Sequence, residues 1–113
     1  MPSALAIAQT GLQVADMQLA TSAHNVANVL TDGFEPSRVE QRELAGGGVT
    51  GTVQPASDPV AESRADQAIL APSRTDIAQE ILAQQRASLA YQASAATIKV
   101  AEQATDALIE ALG

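Results

Sequence analysis

Residues 3–31 read SALAIAQTGLQVADMQLATSAHNVANVLT and contain a single formally charged side chain, Asp16. Leu5, Ala8, Leu12, Ala15, Leu19, Ser22, Val26 and Val29 recur at alternating intervals of three and four, which puts them on one face of an α-helix. The spacing predicts a helix from about Ser3 to Leu30, about 40 Å long at helical rise. Ser22 is the one polar member of this seam, and Ile7, Val14 and Met17 lie beside it, widening the stripe beyond a two-stranded coiled coil. A solvated surface helix is studded with Lys, Glu and Arg, so a helix this poor in charge must be covered on most sides. Gly33, just past its end, suits a left-handed C-terminal cap.

The segment able to provide that cover runs from Thr75 to Leu112, where no Pro or Gly interrupts the chain. It predicts one helix of about 55 Å. Thr75 can serve as its N-cap, and Asp76 in the first turn complements the helix dipole. Ile77, Ile81, Ser88, Tyr91, Ala95, Ile98, Thr105, Ile109 and Leu112 form one broad stripe, and Leu82, Leu89, Ala93, Ala96, Val100, Ala104 and Ala107 form a second. Two stripes call for two neighbours, so packing on the first helix and oligomerisation are both expected. Leu12→Asp or Leu19→Asp, which would bury an unpaired charge in the first seam, is expected to abolish oligomers.

Between the helices, residues 32–74 collect most of the helix breakers: Gly33, Gly46, Gly47, Gly48 and Gly51 with Pro36, Pro55, Pro59 and Pro72. Arg38 to Leu44 and Val49 to Gln54 flank Ala45-Gly46-Gly47-Gly48, and the second flank is rich in β-branched residues, which predicts a hairpin. The stretch from Pro59 to Leu70 reads as a short helix or an acidic linker. The whole is therefore a mainly α single domain over residues 1–113. Long N-terminal (1–31) and C-terminal (75–113) helices pack antiparallel and coiled-coil-like, with a short irregular or hairpin-containing middle (32–74).

Composition supports thin helices in an assembly. Of 113 residues 24 are Ala, with one Phe, one Tyr and no Trp, although 46% are hydrophobic. Alanine favours helix and lets helices approach closely, but each one buries little area. The net charge of −7, shared by all three parts, argues against a phosphate-binding surface, so nucleic acid is not an expected partner. No run of apolar residues is long enough to span a bilayer, since Gln9, Gln13, Gln18, His24 and Asn25 interrupt the first helix. The start lacks the basic region of a secretory signal, which predicts a cytosolic protein or one exported without signal cleavage. With no Cys there is neither a disulfide framework nor a thiolate site.

Nothing in the chain composes a catalytic site. The single His, His24, lies two turns from Asp16 and makes no metal site alone. Gly46-Gly47-Gly48 lacks the Lys-Ser/Thr of a phosphate loop. Glu40, Glu43, Asp58, Glu62 and Asp66 form no spaced acid/base pair and read as a solvated face, and Tyr91 reads as an interface or core anchor. The expectation is no enzyme, no cofactor and no metal.

Two motifs carry a family resemblance. Gly11-Leu12 is followed by His24-Asn25-Val26-Ala27-Asn28-Val29-Leu30-Thr31-Asp32-Gly33-Phe34. The second helix opens Asp76-Ile77-Ala78-Gln79-Glu80 and continues to Ala90-Tyr91-Gln92-Ala93-Ser94-Ala95. In order and spacing these resemble the two terminal signatures of the flagellar basal-body rod proteins, the axial group that includes hook and hook-associated proteins. The resemblance covers about 70 of the 113 residues and leaves residues 35–74 unaddressed. His24 and Leu30 stand where that family often has Asn, Glu35 where a basic residue is common, and Ser88-Leu89 where a Gln-Arg pair is frequent. The short middle is similar to that of a small rod-type member or a short paralogue, not to larger relatives with inserted β domains.

The resemblance implies a structural subunit that joins copies of itself and other axial proteins through its terminal helices. It also implies passage through the flagellar export apparatus without signal cleavage, and residence in the periplasmic rod as part of a torque-transmitting shaft. The implied subunit interface includes Leu5, Gly11, Leu12 and Leu19 of the first helix, and Asn25, Val26, Ala27, Asn28, Thr31, Gly33 and Phe34 of its closing motif. From the second helix it includes Asp76, Ile77, Glu80, Ile81, Leu82, Leu89, Tyr91, Ala93 and Ile98. Asn25 and Asn28 are three apart and share a helix face, where they can bond neighbouring chain and fix register. A reading from another class is a cytosolic helical adaptor or regulatory module that takes a partner helix into a groove. A membrane-surface amphipathic protein is disfavoured because the first helix has no basic face.

Overall fold

The computed structural model describes residues 3–55 and 72–113; the segment expected as a short helix or acidic linker, Pro59 to Leu70, lies outside the described residues. The order is α1 (Ala4–Ala27), β1 (Arg38–Glu43), β2 (Val49–Gln54) and α2 (Ile77–Leu112). The two helices lie antiparallel: Ser22 meets Glu80, Gly11 meets Ser94, and Leu5 shares a cleft with Ala101 and Thr105. Helices and hairpin stand as the sequence predicts, in a body of 70 × 26 × 14 Å.

The helix ends differ from expectation in ways the local chemistry explains. Ser3 caps α1, its hydroxyl accepting from Ala6 N at 3.2 Å. The helix stops at Ala27, three residues before Leu30. Asn28 is its C-cap: the side chain donates to His24 O at 2.9 Å and accepts from the Thr31 hydroxyl at 3.0 Å, drawing the chain out of helical bonding. Gly33 is left-handed at φ 74°, but it turns the chain between Thr31 and Phe34 and does not cap the helix. At α2 the cap is Asp76 and not Thr75. The Asp76 carboxylate accepts from Ala78 N and Gln79 N, while the Thr75 hydroxyl donates to Asn25 O at 3.1 Å. The carboxylate has the short reach and the charge that a helix N-terminus favours, and Thr75 is drawn to the other helix.

The strands pair antiparallel in the register Arg38↔Gln54 through Glu43↔Val49. The loop closes with Leu44 N donating to Gly48 O at 3.0 Å. A two-stranded ribbon is marginal alone and needs a surface to lie on. That surface is α1. Val49 N donates to the Thr10 hydroxyl at 3.0 Å, Gln18 Nε2 to Gln41 Oε1 at 3.4 Å, and Gly51 sits against Met17, Val14 and Val39. Val14 and Met17, expected to widen the helix seam, thus serve the hairpin.

The α1 seam holds as read at Ala8, Ala15 and Ser22, all buried, while Leu12, Leu19 and Val26 are half-buried and Leu5 is exposed. On α2 the packed line is neither expected stripe. Glu80 and Ala87 are buried, and Ser94 and Ala101 continue their face at seven-residue steps. A Cβ added at Gly11 would stand 2.7 Å from Ser94 Oγ, so the helices approach closely and only small residues fit between them. Ile77, Ile81, Leu82, Leu89 and Tyr91 are left exposed.

Candidate functional site

Three features of the described residues stand out: a buried polar cluster, an uncharged groove and an unpartnered apolar surface. The cluster lies where α1 ends and α2 begins. The two largest fully buried side chains are Glu80 and Asn25, each 1% exposed. Asn25 Nδ2 donates to Glu80 Oε1 at 3.1 Å and to Ser37 O at 2.9 Å, and its Oδ1 accepts from Ser37 N at 2.9 Å. Ser22 Oγ donates to the Glu80 carbonyl at 3.1 Å. Arg38, at the start of β1, places Nη1 3.2 Å from Glu80 Oε1 and Nη2 3.3 Å from Gln79 Oε1. One carboxylate therefore ties both helices and the hairpin. Among the described residues no buried side-chain polar atom lacks a partner, as a buried ionic group requires.

Phe34 stands edge-on to His24 with ring centroids 5.6 Å apart. Its carbonyl accepts from Arg74 N at 2.9 Å, and the Arg74 guanidinium lies 3.7 Å from Glu35. The Asn25–Phe34 motif is thus engaged largely within the chain. Asn25 and Glu80 spend their polar groups internally, Val26, Asn28, Gly33 and Phe34 are half-buried, and Ala27 and Thr31 face solvent. Arg38 and Ser37, which complete the cluster, were missed by sequence reading; the signal was Ser22 in the seam with Asn25 three residues on beside it, two polar groups that demand partners.

The groove lies between α1, the hairpin and α2 and has a volume of about 510 Å3. Its walls include Ile7, Ala8, Gly11, Val14, Val49 and Ala93, and no lining residue is charged.

The unpartnered surface belongs mainly to α2. At 100° per residue, Leu82, Leu89, Ala96 and Val100 lie about half a turn from Glu80 and Ala87, on the side away from α1. Leu89 is 68% exposed and Val100 63%. Ile77, Ile81, Tyr91, Ala93, Leu108, Ile109 and Leu112 are also exposed, Ile98 is half-buried, and Asp76 at the cap is exposed. Beyond Thr105 and Asp106, which share the cleft of Leu5, α2 extends past the start of α1. Against this, the buried apolar side chains among the described residues are Ala8, Val14, Ala15 and Ala87. No described helix is long and apolar enough to cross a membrane, and no group of three His, Cys, Asp or Glu among the described residues could hold a metal ion. The chain matches no protein-family model and no curated protein.

Proposed function

We propose that this chain is a small rod-type structural subunit of the flagellar basal body, or a short paralogue of one, that assembles with copies of itself and with other axial proteins through its terminal helices. It acts by packing, without catalysis or cofactor. The flagellar export apparatus delivers it without signal cleavage to the periplasmic rod, where interlocked Ala-rich helices transmit torque. The observation that carries the assembly reading is the reversal of burial: Glu80 and Asn25 are the largest side chains fully inside, while Leu82, Leu89, Val100, Leu108, Ile109 and Leu112 lie outside. Leu82, Leu89 and Val100 share one side of α2, and an exposed apolar stripe of this kind marks an interface. The flagellar part rests on the two terminal motifs.

Purified basal bodies should contain the protein, and its deletion should abolish motility. Its absence from purified rods, together with normal motility on deletion, would remove the rod assignment. The uncharged groove beside α1 favours the second reading, a cytosolic helical adaptor that docks a partner helix. A small soluble complex of defined stoichiometry, with none of the protein in the rod, would support it. Because Leu12 and Leu19 are half-buried within the single chain, Leu89→Asp is the cleaner test of assembly.

A further inference from the structure

We propose that the cluster of Glu80, Asn25, Ser22 and Arg38 is the register pin of the helix pair, the element that fixes how far α1 and α2 are staggered along each other. Elsewhere the closest approach is Gly11 to Ser94, and the fully buried apolar positions of the seam, Ala8, Ala15 and Ala87, are as small, with Leu12 and Leu19 only half-buried beside them. Residues this small make no knobs that fit a single set of holes. Sliding α2 by seven residues, about 10.5 Å, puts Ala101 where Ser94 was and Ser94 where Ala87 was, small residues again.

Chain length alone does not choose the register. Residues 55–76 separate Gln54 from Ile77, and a chain of that length reaches about 70 Å when extended. The hairpin is fastened to α1 and would stay with it. Thr75 Oγ1 to Asn25 O and Arg74 N to Phe34 O also join the start of α2 to the end of α1. These bonds lie nearer the surface, where water replaces a lost partner at small cost. Glu80 and Asn25 are desolvated, so a slip that set Ala87 opposite Asn25 would leave a buried amide donor short of an acceptor and the Glu80 carboxylate out of its place. A single buried polar group fixes register inside coiled coils on the same principle. The stagger also decides where the outer stripe of Leu82, Leu89 and Val100 stands, and a one-heptad slip displaces it by about 10.5 Å.

The chain has no cysteine, so disulfide trapping reads the register directly. A Cβ at position 11 would stand 3.6 Å from that of Ser94, within disulfide spacing, so Gly11→Cys with Ser94→Cys reports the native stagger. Gly11→Cys with Ala101→Cys reports the seven-residue slip. The same pair in the Glu80 chain is the reference for any push from Ser94. With Glu80 present the native pair should close and the slipped pair should not. Glu80→Ala should lower the ratio of native to slipped product by about tenfold or more, the factor set by one lost charge-assisted hydrogen bond. Glu80→Gln keeps an acceptor for Asn25 and should restore the native pair. Moving the acid, Glu80→Ala with Ala87→Glu, should make the slipped pair the main product. Closure of the native pair alone in Glu80→Ala overturns the proposal. So does loss of the helical circular-dichroism signal in that variant, because the cluster would then hold the fold and not select its stagger.

Discussion

At the base of the helix pair the buried side chains are Asn25, Ser22 and Glu80, whereas along the outer half of α2 Leu89, Val100, Leu108, Ile109 and Leu112 face solvent. The two regions invert the usual arrangement, and each inversion has a physical reason. At the base, the chain reverses direction and must satisfy the end of α1, the entry to β1 and the first turn of α2 within a few ångströms. Polar side chains do this by exchanging bonds with one another. Along outer α2, Gly11 leaves room for only a small residue, Ser94, opposite it, and Leu82, Leu89 and Val100 lie on the side away from α1. The base is satisfied within the described residues; the outer face has no partner among them.

The comparison breaks most visibly through association. Leu89→Asp puts a charge on the outer face and should abolish self-association in sedimentation while leaving the monomer's unfolding free energy within about 0.5 kcal/mol, because the side chain is 68% exposed. Unchanged association would show that this face is not the contact. The base should respond in the opposite sense. Glu80→Ala removes the acceptor shared by Asn25 and Arg38 and should lower stability in urea titration by about 2 kcal/mol or more, with Leu89 untouched. Gly51→Val, which drives a side chain against Met17 Sδ at 3.1 Å and Val39 Cγ1 at 3.2 Å, should loosen the hairpin by about 1–2 kcal/mol and speed amide exchange in β1 and β2, not in α2. Ser22→Ala loses one bond to the Glu80 carbonyl and should cost about 1 kcal/mol by thermal melting. If Ser22→Ala cost as much as Glu80→Ala, the carboxylate would not be the centre of the base.

Both helices and the hairpin were legible because their signals are local. Three-and-four spacing, an unbroken run from Thr75 to Leu112, and β-branched flanks around Gly46-Gly47-Gly48 each determine backbone conformation without reference to the rest of the chain. The helix ends were less legible. Ser3, Asn28, Asp76 and Thr75 all bear groups able to cap, and which one does depends on what else is near: Thr75 is diverted by the Asn25 carbonyl on another helix. Leu82, Leu89 and Val100 were read as a stripe in need of a neighbour, and among the described residues they stay exposed.

Local sequence signals suffice for two long helices, the hairpin between them, the thinness of any core that so much Ala could build, and the surplus of apolar surface. Only the tertiary structure decided which line of α2 meets α1. Hydrophobic periodicity favours the line of largest side chains, but the close approach imposed by Ala8, Gly11 and Ala15 selects the line of smallest ones and admits Glu80, because Asn25 and Arg38 reach it there. Periodicity says where a helix is apolar. Fit and hydrogen-bond satisfaction say which side is used inside the chain.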